Sequence, residues 1–508
     1  MKRRVVRRWP LVGVAVLGLI AAACGSSKGG TSTATTAAGG NTSTTASSGG
    51  GGGSSGCSSP DTSIDAQQGQ YAGWTQAVLA CTASKPIKAT GSPIVVGFIN
   101  PQGDPNGSFP DATAGAQAAV DYINNDLGGI GGDPLKGVAG HPIQLSTCFE
   151  TIAPSSSSSC ANQIAGAHPL FVVSGFQFFG EVADPVFKGA GIPVINYSPI
   201  TLADFNSQGV FDVSSGGGCV GVHPALIAYS VYGLHGKNLA IPWSNTPPGV
   251  VCYYDLEQKP VQIINGSLTP TPANVQVVQG VVEHGYPIPP AAPDDSAVAA
   301  QILAQKPDVI IYSAQASDCF NLLNSLSTAG WSAQKIPLVL SGACSDTKQI
   351  AQAGAKADGV DFIGAAYNLL DASSASGLAS QEISIGLAKS KQYSPSQSLT
   401  GVEEAMFQTW LSTWIVLQNS SSAANLTASS IDSTLAATDN VHLWAGNPWG
   451  CKSAPQGYNS VCATVVSVQQ WNGTKFVQVN NPVPGSNGPN FNAAYIVSGT
   501  PIHATGSG

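Results

Sequence analysis

The stretch Ile94–Asn125, IVVGFINPQGDPNGSFPDATAGAQAAVDYINN, decides the fold. Its opening six residues, Ile94 to Ile99, are a β-branched run that reads as a buried strand. Pro101 to Asp111 is rich in Pro, Gly and Asp and predicts a loop. From Ala112 to Asn125, Ala116, Val120 and Ile123 fall at helical spacing and draw an apolar stripe. The cluster Gly128-Gly129-Ile130-Gly131-Gly132 ends that helix, because glycine tolerates left-handed C-cap geometry. Strand, loop and helix in that order form the unit of an α/β domain with a parallel sheet.

The unit repeats on both sides of residue 238. Ile143–Thr147, Leu170–Val173 and Ile192–Tyr197 predict strands, each followed by a loop and a helical stretch. A second series runs through strands Asn238–Pro242, Asp308–Tyr312, Ile336–Ser341 and Val360–Ala366. Its helices are Ser296–Gln305, Phe320–Ala329 and Thr347–Ala355. Gly401–Gln418 reads as the strongest amphipathic helix of the chain, with Glu403 and Glu404 at its positive end. Ala463–Gln470 and Lys475–Val479 flank an Asn-Gly turn and predict a hairpin. Residues 485–508 are rich in Gly, Asn and Pro and predict a loosely ordered tail.

Charge and cysteine content narrow the class. Five of the 20 basic residues lie in the first eight positions, which leaves 15 against 28 acidic residues, a balance of −13. No basic stripe remains to neutralise phosphates, which excludes a nucleic-acid partner. Residues 1–24 join that basic start to an apolar run, Leu11–Ile20, too short for a permanent span. Ala21-Ala22-Ala23-Cys24 resembles the bacterial lipobox, with Ala21 where Leu is usual, so Cys24 is expected to carry a lipid anchor. Residues 25–56 are almost entirely Gly, Ser, Thr and Ala and predict a flexible tether. The remaining ten cysteines fall in order as Cys57/Cys81, Cys148/Cys160, Cys219/Cys252, Cys319/Cys344 and Cys451/Cys462. Neighbour pairing into disulfides is expected in an exported chain, although spacing leaves other connectivities open. No CxxC occurs and the seven His are scattered, so no metal is expected.

Several blocks resemble one family. The strand IVVGFI, the loop PQGDPNG and the helix GAQAAVDYINND, followed by LGGIGGDPLKGVAGHPIQLSTC, are similar to the opening of the type I solute-binding proteins of branched-chain amino acid (Leu/Ile/Val) ABC importers, here in lipoprotein form. INYSPIT (Ile195–Thr201), DDSAVAAQILAQKPDVIIYSAQASD (Asp294–Asp318), ADGVDFIGAAYN and VVSVQQWNGTKFVQV resemble later blocks of the same family. The resemblance implies an α/β fold of two Rossmann-like lobes with parallel sheets and three hinge crossovers. Lobe one would hold 92–213 and 364–440, and lobe two 214–363 and 441–484, after an extension at 57–91 and before the tail. It also implies a monomer, lipid-anchored on the extracytoplasmic face of the membrane, that passes a small-molecule solute to permease subunits without a cofactor.

Loops at the strand carboxyl ends supply the ligand candidates. They are Gln102, Phe176, Gln177, Phe178, Ser198 and Thr201 in lobe one, and Trp243, Asn245, Gln315, Asp318 and Tyr367 in lobe two. The resemblance implies Thr201 and Ser198 as carboxylate donors and Asp318 as the acid that pairs an ammonium. Phe176-Gln177-Phe178-Phe179 departs from the family's Ser-rich turn, and Pro247-Pro248 stands near where a Tyr is usual. Flat apolar surface in place of short hydroxyls favours a ring-bearing or less polar solute, with Gln177, Asn245 and Gln315 giving neutral hydrogen bonds. A tethered sensor of the same fold and an extracytoplasmic α/β enzyme are the competing readings. The enzyme would need an activated nucleophile or an acid–base pair, and no such set stands at the strand ends.

Overall fold

The computed structural model describes residues 57–499 apart from 269–271, 273, 396–398, 481, 482, 485 and 487. The leader, Cys24, the tether and residues 500–508 lie outside the described residues. Among the described residues no helix is long and apolar enough to cross a membrane.

Two sheets organise the chain. The first holds β1 (Ile94–Pro101), β2 (Ile143–Glu150), β3 (Val172–Phe176), β4 (Val194–Ser198) and β5 (Val210–Asp212). They pair in the order β2-β1-β3-β4-β5, every pair parallel. The second sheet begins with β6 (Asn238–Ser244), β7 (Val282–Ile288), β8 (Val309–Tyr312), β9 (Leu338–Ser341) and β10 (Asp361–Gly364). These run parallel in the order β7-β6-β8-β9-β10. Antiparallel β11 (Val466–Trp471), β12 (Phe476–Gln478) and β13 (Asn490–Phe491) complete that edge. The short β5 and the polar-flanked β7 carry little β-branched signal, and both escaped the sequence reading.

The chain passes between the halves three times: after β5, after β10, and before β11. At the first passage Gly216, Gly217 and Gly218 all have positive φ (99°, 59° and 50°), where a side chain is strained. A Cβ on Gly218 would also lie 2.4 Å from the Pro199 carbonyl oxygen. Ser215 ties the three passages together. Its Oγ donates to the Val465 carbonyl (3.3 Å), accepts from the Ala366 N–H (2.9 Å), and its N–H donates to Gln408 Oε1 (3.1 Å).

Two expectations change. The Gly401–Gln418 helix is not amphipathic: every residue from Val402 to Leu417 is buried. The Pro110–Asn125 and Gly377–Tyr393 helices pack on it, and Trp74 of the Ala72–Ser84 helix reaches Trp414 with ring centroids 5.3 Å apart. The extension at 57–91 thus covers a face the sequence pattern assigns to water. Glu403 and Glu404 are consequently buried, and burial pushes both carboxyls up to about 8, so neither serves as an exposed charge on the helix dipole. The described residues of the stretch expected as a loose tail also pack on the body. Asn490 and Phe491 pair with β11, and Ile496 and Val497 are fully buried.

Five disulfides join Cys57–Cys81, Cys148–Cys160, Cys219–Cys252, Cys319–Cys344 and Cys451–Cys462. Each closes a loop of 11 to 33 residues, so each cross-links neighbouring elements rather than the two sheets.

Candidate functional site

In a parallel sheet all strands end on one side, so their carboxyl ends line a common crevice. Here the ends of both sheets meet at one cavity of about 200 Å³. Phe176 closes β3 and Ser198 closes β4; Ser244 closes β6, Ser313 follows β8, and Ser341 closes β9. An apolar cavity of roughly 150 Å³ is enough for a benzene ring.

The first-half wall is aromatic. Phe109 stacks on Phe176 (centroids 3.9 Å apart, planes 27° apart), and Tyr197 meets Phe176 edge-on at 5.2 Å and 88°. Phe178 lies 6.3 Å from Phe109. Phe109 sits in place because Pro110 opens the following helix, while Asn100 Nδ2 donates 2.7 Å to the Phe109 carbonyl. These rings offer a flat apolar face with edges and planes at mixed angles, suited to a ring.

The second-half wall is polar. Asp318, in the first turn of the Ala316–Thr328 helix, accepts from Gln315 Nε2 at 3.2 Å on each carboxylate oxygen. Burial holds its carboxyl above the usual range. His223 lines the cavity from the Gly218–Ala228 helix and bonds through Nδ1 to Glu257 Oε1 at 2.8 Å. Burial raises the Glu257 carboxyl, against the pull of His223. Cys219, His223 and Cys252 bring ligand atoms within 4.8 Å of one another, but the two sulfurs are joined to each other, which leaves them unavailable to a metal.

Six of the eleven residues named from sequence line this cavity: Phe176, Phe178, Ser198, Gln315, Asp318 and Tyr367. Five have other partners. Thr201 caps the Leu202–Asn206 helix in a reciprocal capping box, its Oγ1 accepting the Asp204 N–H. Gln102 Oε1 accepts from Thr113 Oγ1 at 2.7 Å, and Gln177 Nε2 donates to Asp184 at 3.3 Å. Trp243 stacks on Tyr253 (5.2 Å, 10°), so its face is taken by a protein ring. Asn245 follows β6 and donates its N–H to the Ile288 carbonyl, continuing the sheet by one bond.

Phe109, Tyr197, His223, Ser244 and Ser341 line the cavity without having been named from sequence. A serine recurring directly at the carboxyl end of several predicted strands was a readable signal. His223 had none, since it stands within a helix and meets Glu257 only after 34 residues of chain.

The comparisons concern fold and family. No curated protein matches. Residues 273–442 match the family described as periplasmic binding protein. An extracellular ligand-binding receptor from Verminephrobacter eiseniae is similar at 15% identity and TM-score 0.59, covering 76% of this chain and 100% of that one. A solute-binding protein of an ABC transporter from Rhodopseudomonas palustris, solved with 3,4-dihydroxybenzoic acid, is similar at 13% identity and TM-score 0.59, over 79% and 98% of the two chains. A leucine-binding protein from Thermotoga maritima gives 13% identity and TM-score 0.56, over 77% and 99%. These neighbours are named as binding proteins and receptors, not as enzymes. The chain has the α/β fold of the type I periplasmic binding proteins, and residues 273–442 match the periplasmic binding protein family in sequence.

Proposed function

We propose that the chain is an extracytoplasmic solute-binding protein, anchored through lipid on Cys24, that captures a small ring-bearing solute between its two halves and delivers it to an ABC importer. The cavity supports this reading most directly. It lies where the strand ends of both sheets meet, and it joins the stacked rings of Phe109 and Phe176 to a polar wall holding Gln315 and Asp318. Apolar faces supply affinity, while a few placed polar groups fix orientation. The three passages tied by Ser215 form the hinge about which the halves, with the limits given from sequence, would close.

An amino acid is the less favoured solute. Thr201, which the resemblance assigns to the substrate carboxylate, stands outside the cavity lining, at a helix end where its Oγ1 accepts the Asp204 N–H. The test is mass spectrometry of small molecules released from the purified protein, followed by thermal-shift screening of amino acids, amides and aromatic solutes. A ring-bearing compound that binds one to one and is released unchanged is expected. Turnover of the compound, or selective binding of aliphatic amino acids alone, would overturn the proposal.

A further inference from the structure

His223 carries an arrangement that solute capture alone does not require. Its side chain is 9% exposed and lines the cavity, while the Glu257 side chain behind it is 2% exposed. Nδ1 lies 2.8 Å from Glu257 Oε1, and the other ring nitrogen has no protein partner among the described residues. A buried carboxylate needs donors, and the imidazole N–H is the one this geometry supplies. With its proton on Nδ1, the ring leaves the Nε2 lone pair as an acceptor.

The surroundings select what that acceptor takes. No Lys or Arg is among the described residues lining the cavity. Glu283 adds a second carboxylate near Glu257, held by the Tyr253 hydroxyl (2.7 Å) and by Gln258 Nε2 (2.8 Å), and Lys259 is engaged with Asp255 at 2.6 Å. On the same polar wall Asp318 is a further acid. This corner is therefore electron-rich. It favours a solute group that brings a proton and disfavours one that brings negative charge.

We infer that His223, oriented by Glu257, accepts a hydrogen bond from a hydroxyl on the solute, and that the solute class is a hydroxylated ring of the phenol or catechol type. The ring lies against Phe176 and Tyr197, and the hydroxyl meets His223. Glu257 is the positioning residue, since it touches the solute only through the imidazole. The inference rests on the ring-binding reading above, and the following experiment separates the failure of one from that of the other.

Calorimetric titration of the purified full chain uses four probes: benzamide, 4-hydroxybenzamide, benzoate and 4-hydroxybenzoate. In the native protein the hydroxyl is expected to strengthen binding by at least about tenfold in each pair. In His223→Phe that ratio falls to about one, because a site without the acceptor gains nothing from the donor. Glu257→Gln lowers the ratio at least about threefold while benzamide affinity stays within about twofold, which a purely structural role would not produce. If His223→Phe does not fold by circular dichroism, His223→Leu makes the same comparison. Probes that bind with an equal hydroxyl ratio in native and His223-substituted protein overturn the inference and leave the ring-binding reading standing. Failure of all four probes to bind the native protein overturns both.

Discussion

The two walls of the cavity are built from opposite materials. Phe109, Phe176 and Tyr197 form a continuous set of ring contacts on the first-half side, whereas Ser244, Ser341, Gln315, Asp318 and His223 supply the second-half side. The supports behind them differ as well. The aromatic wall rests on the Gly401–Gln418 helix and the apolar core around it, while the polar wall is braced by the Cys219–Cys252 and Cys319–Cys344 disulfides, by the buried His223–Glu257 hydrogen bond and by the Lys259–Asp255 ion pair. An apolar face gives affinity with little discrimination; hydrogen-bonding groups give discrimination because an unmatched one is left unpaired. Affinity and selectivity are thus lodged in different halves, and substitutions in each should separate them.

Phe176→Ala breaks the contrast most severely. It removes the ring that both Phe109 and Tyr197 touch, so unfolding free energy should fall by about 3 kcal/mol in denaturant titration. Affinity for ring-bearing probes should fall by more than about tenfold, with the preference among hydroxylated probes retained. On the other side, Cys219→Ala with Cys252→Ala removes a cross-link over 33 residues and should cost about 3 kcal/mol by the same measurement. Here selectivity should suffer more than affinity, because His223 loses a neighbour that fixes its helix.

A pH series sharpens the comparison below the aromatic wall. Burial pushes the Glu404 carboxyl from its ordinary 4.5 up to about 8. Between those values the folded chain holds a proton that the unfolded chain has released, so this residue's contribution to stability falls as pH rises through that window. Glu404→Gln should therefore raise stability at pH 8 by on the order of 2 kcal/mol and change little near pH 4.5, read as Tm against pH. A substituted protein whose Tm tracks the native one at every pH would contradict this account. The smallest effect is expected from Thr201→Ala. It removes a helix cap worth about 1 kcal/mol and should leave solute affinity unchanged, since the side chain lies outside the cavity. Weakened binding without loss of stability would return Thr201 to the site.

Much of the fold was legible because its signals are local. Ile94–Ile99 reads as a strand from its own β-branched residues, and Gly401–Gln418 reads as a helix from its own length and spacing. The site was legible in part. Phe176 and Ser198 stand at strand ends, where a parallel sheet makes a crevice. Thr201 and Trp243 stand outside the cavity lining, because sequence adjacency to a strand end does not say what a side chain meets in the fold. Thr201 in fact carries its own warning, since Thr-x-x-Asp is the spacing of a capping box. The stacking of Trp243 on Tyr253 carries none.

The sequence by itself determined the alternation of strands and helices, the glycines that permit the first passage between halves, and the loops in which ligand groups had to be sought. Those properties depend on backbone preferences and on side-chain periodicity over a few residues. Tertiary structure decided which loops face one cavity, which helix loses its water-exposed face, and that His223 meets Glu257. Each of these depends on bringing segments tens to hundreds of residues apart into contact. Such contacts are chosen by the sum of packing and hydrogen bonding over the whole chain, and no short stretch of it encodes them.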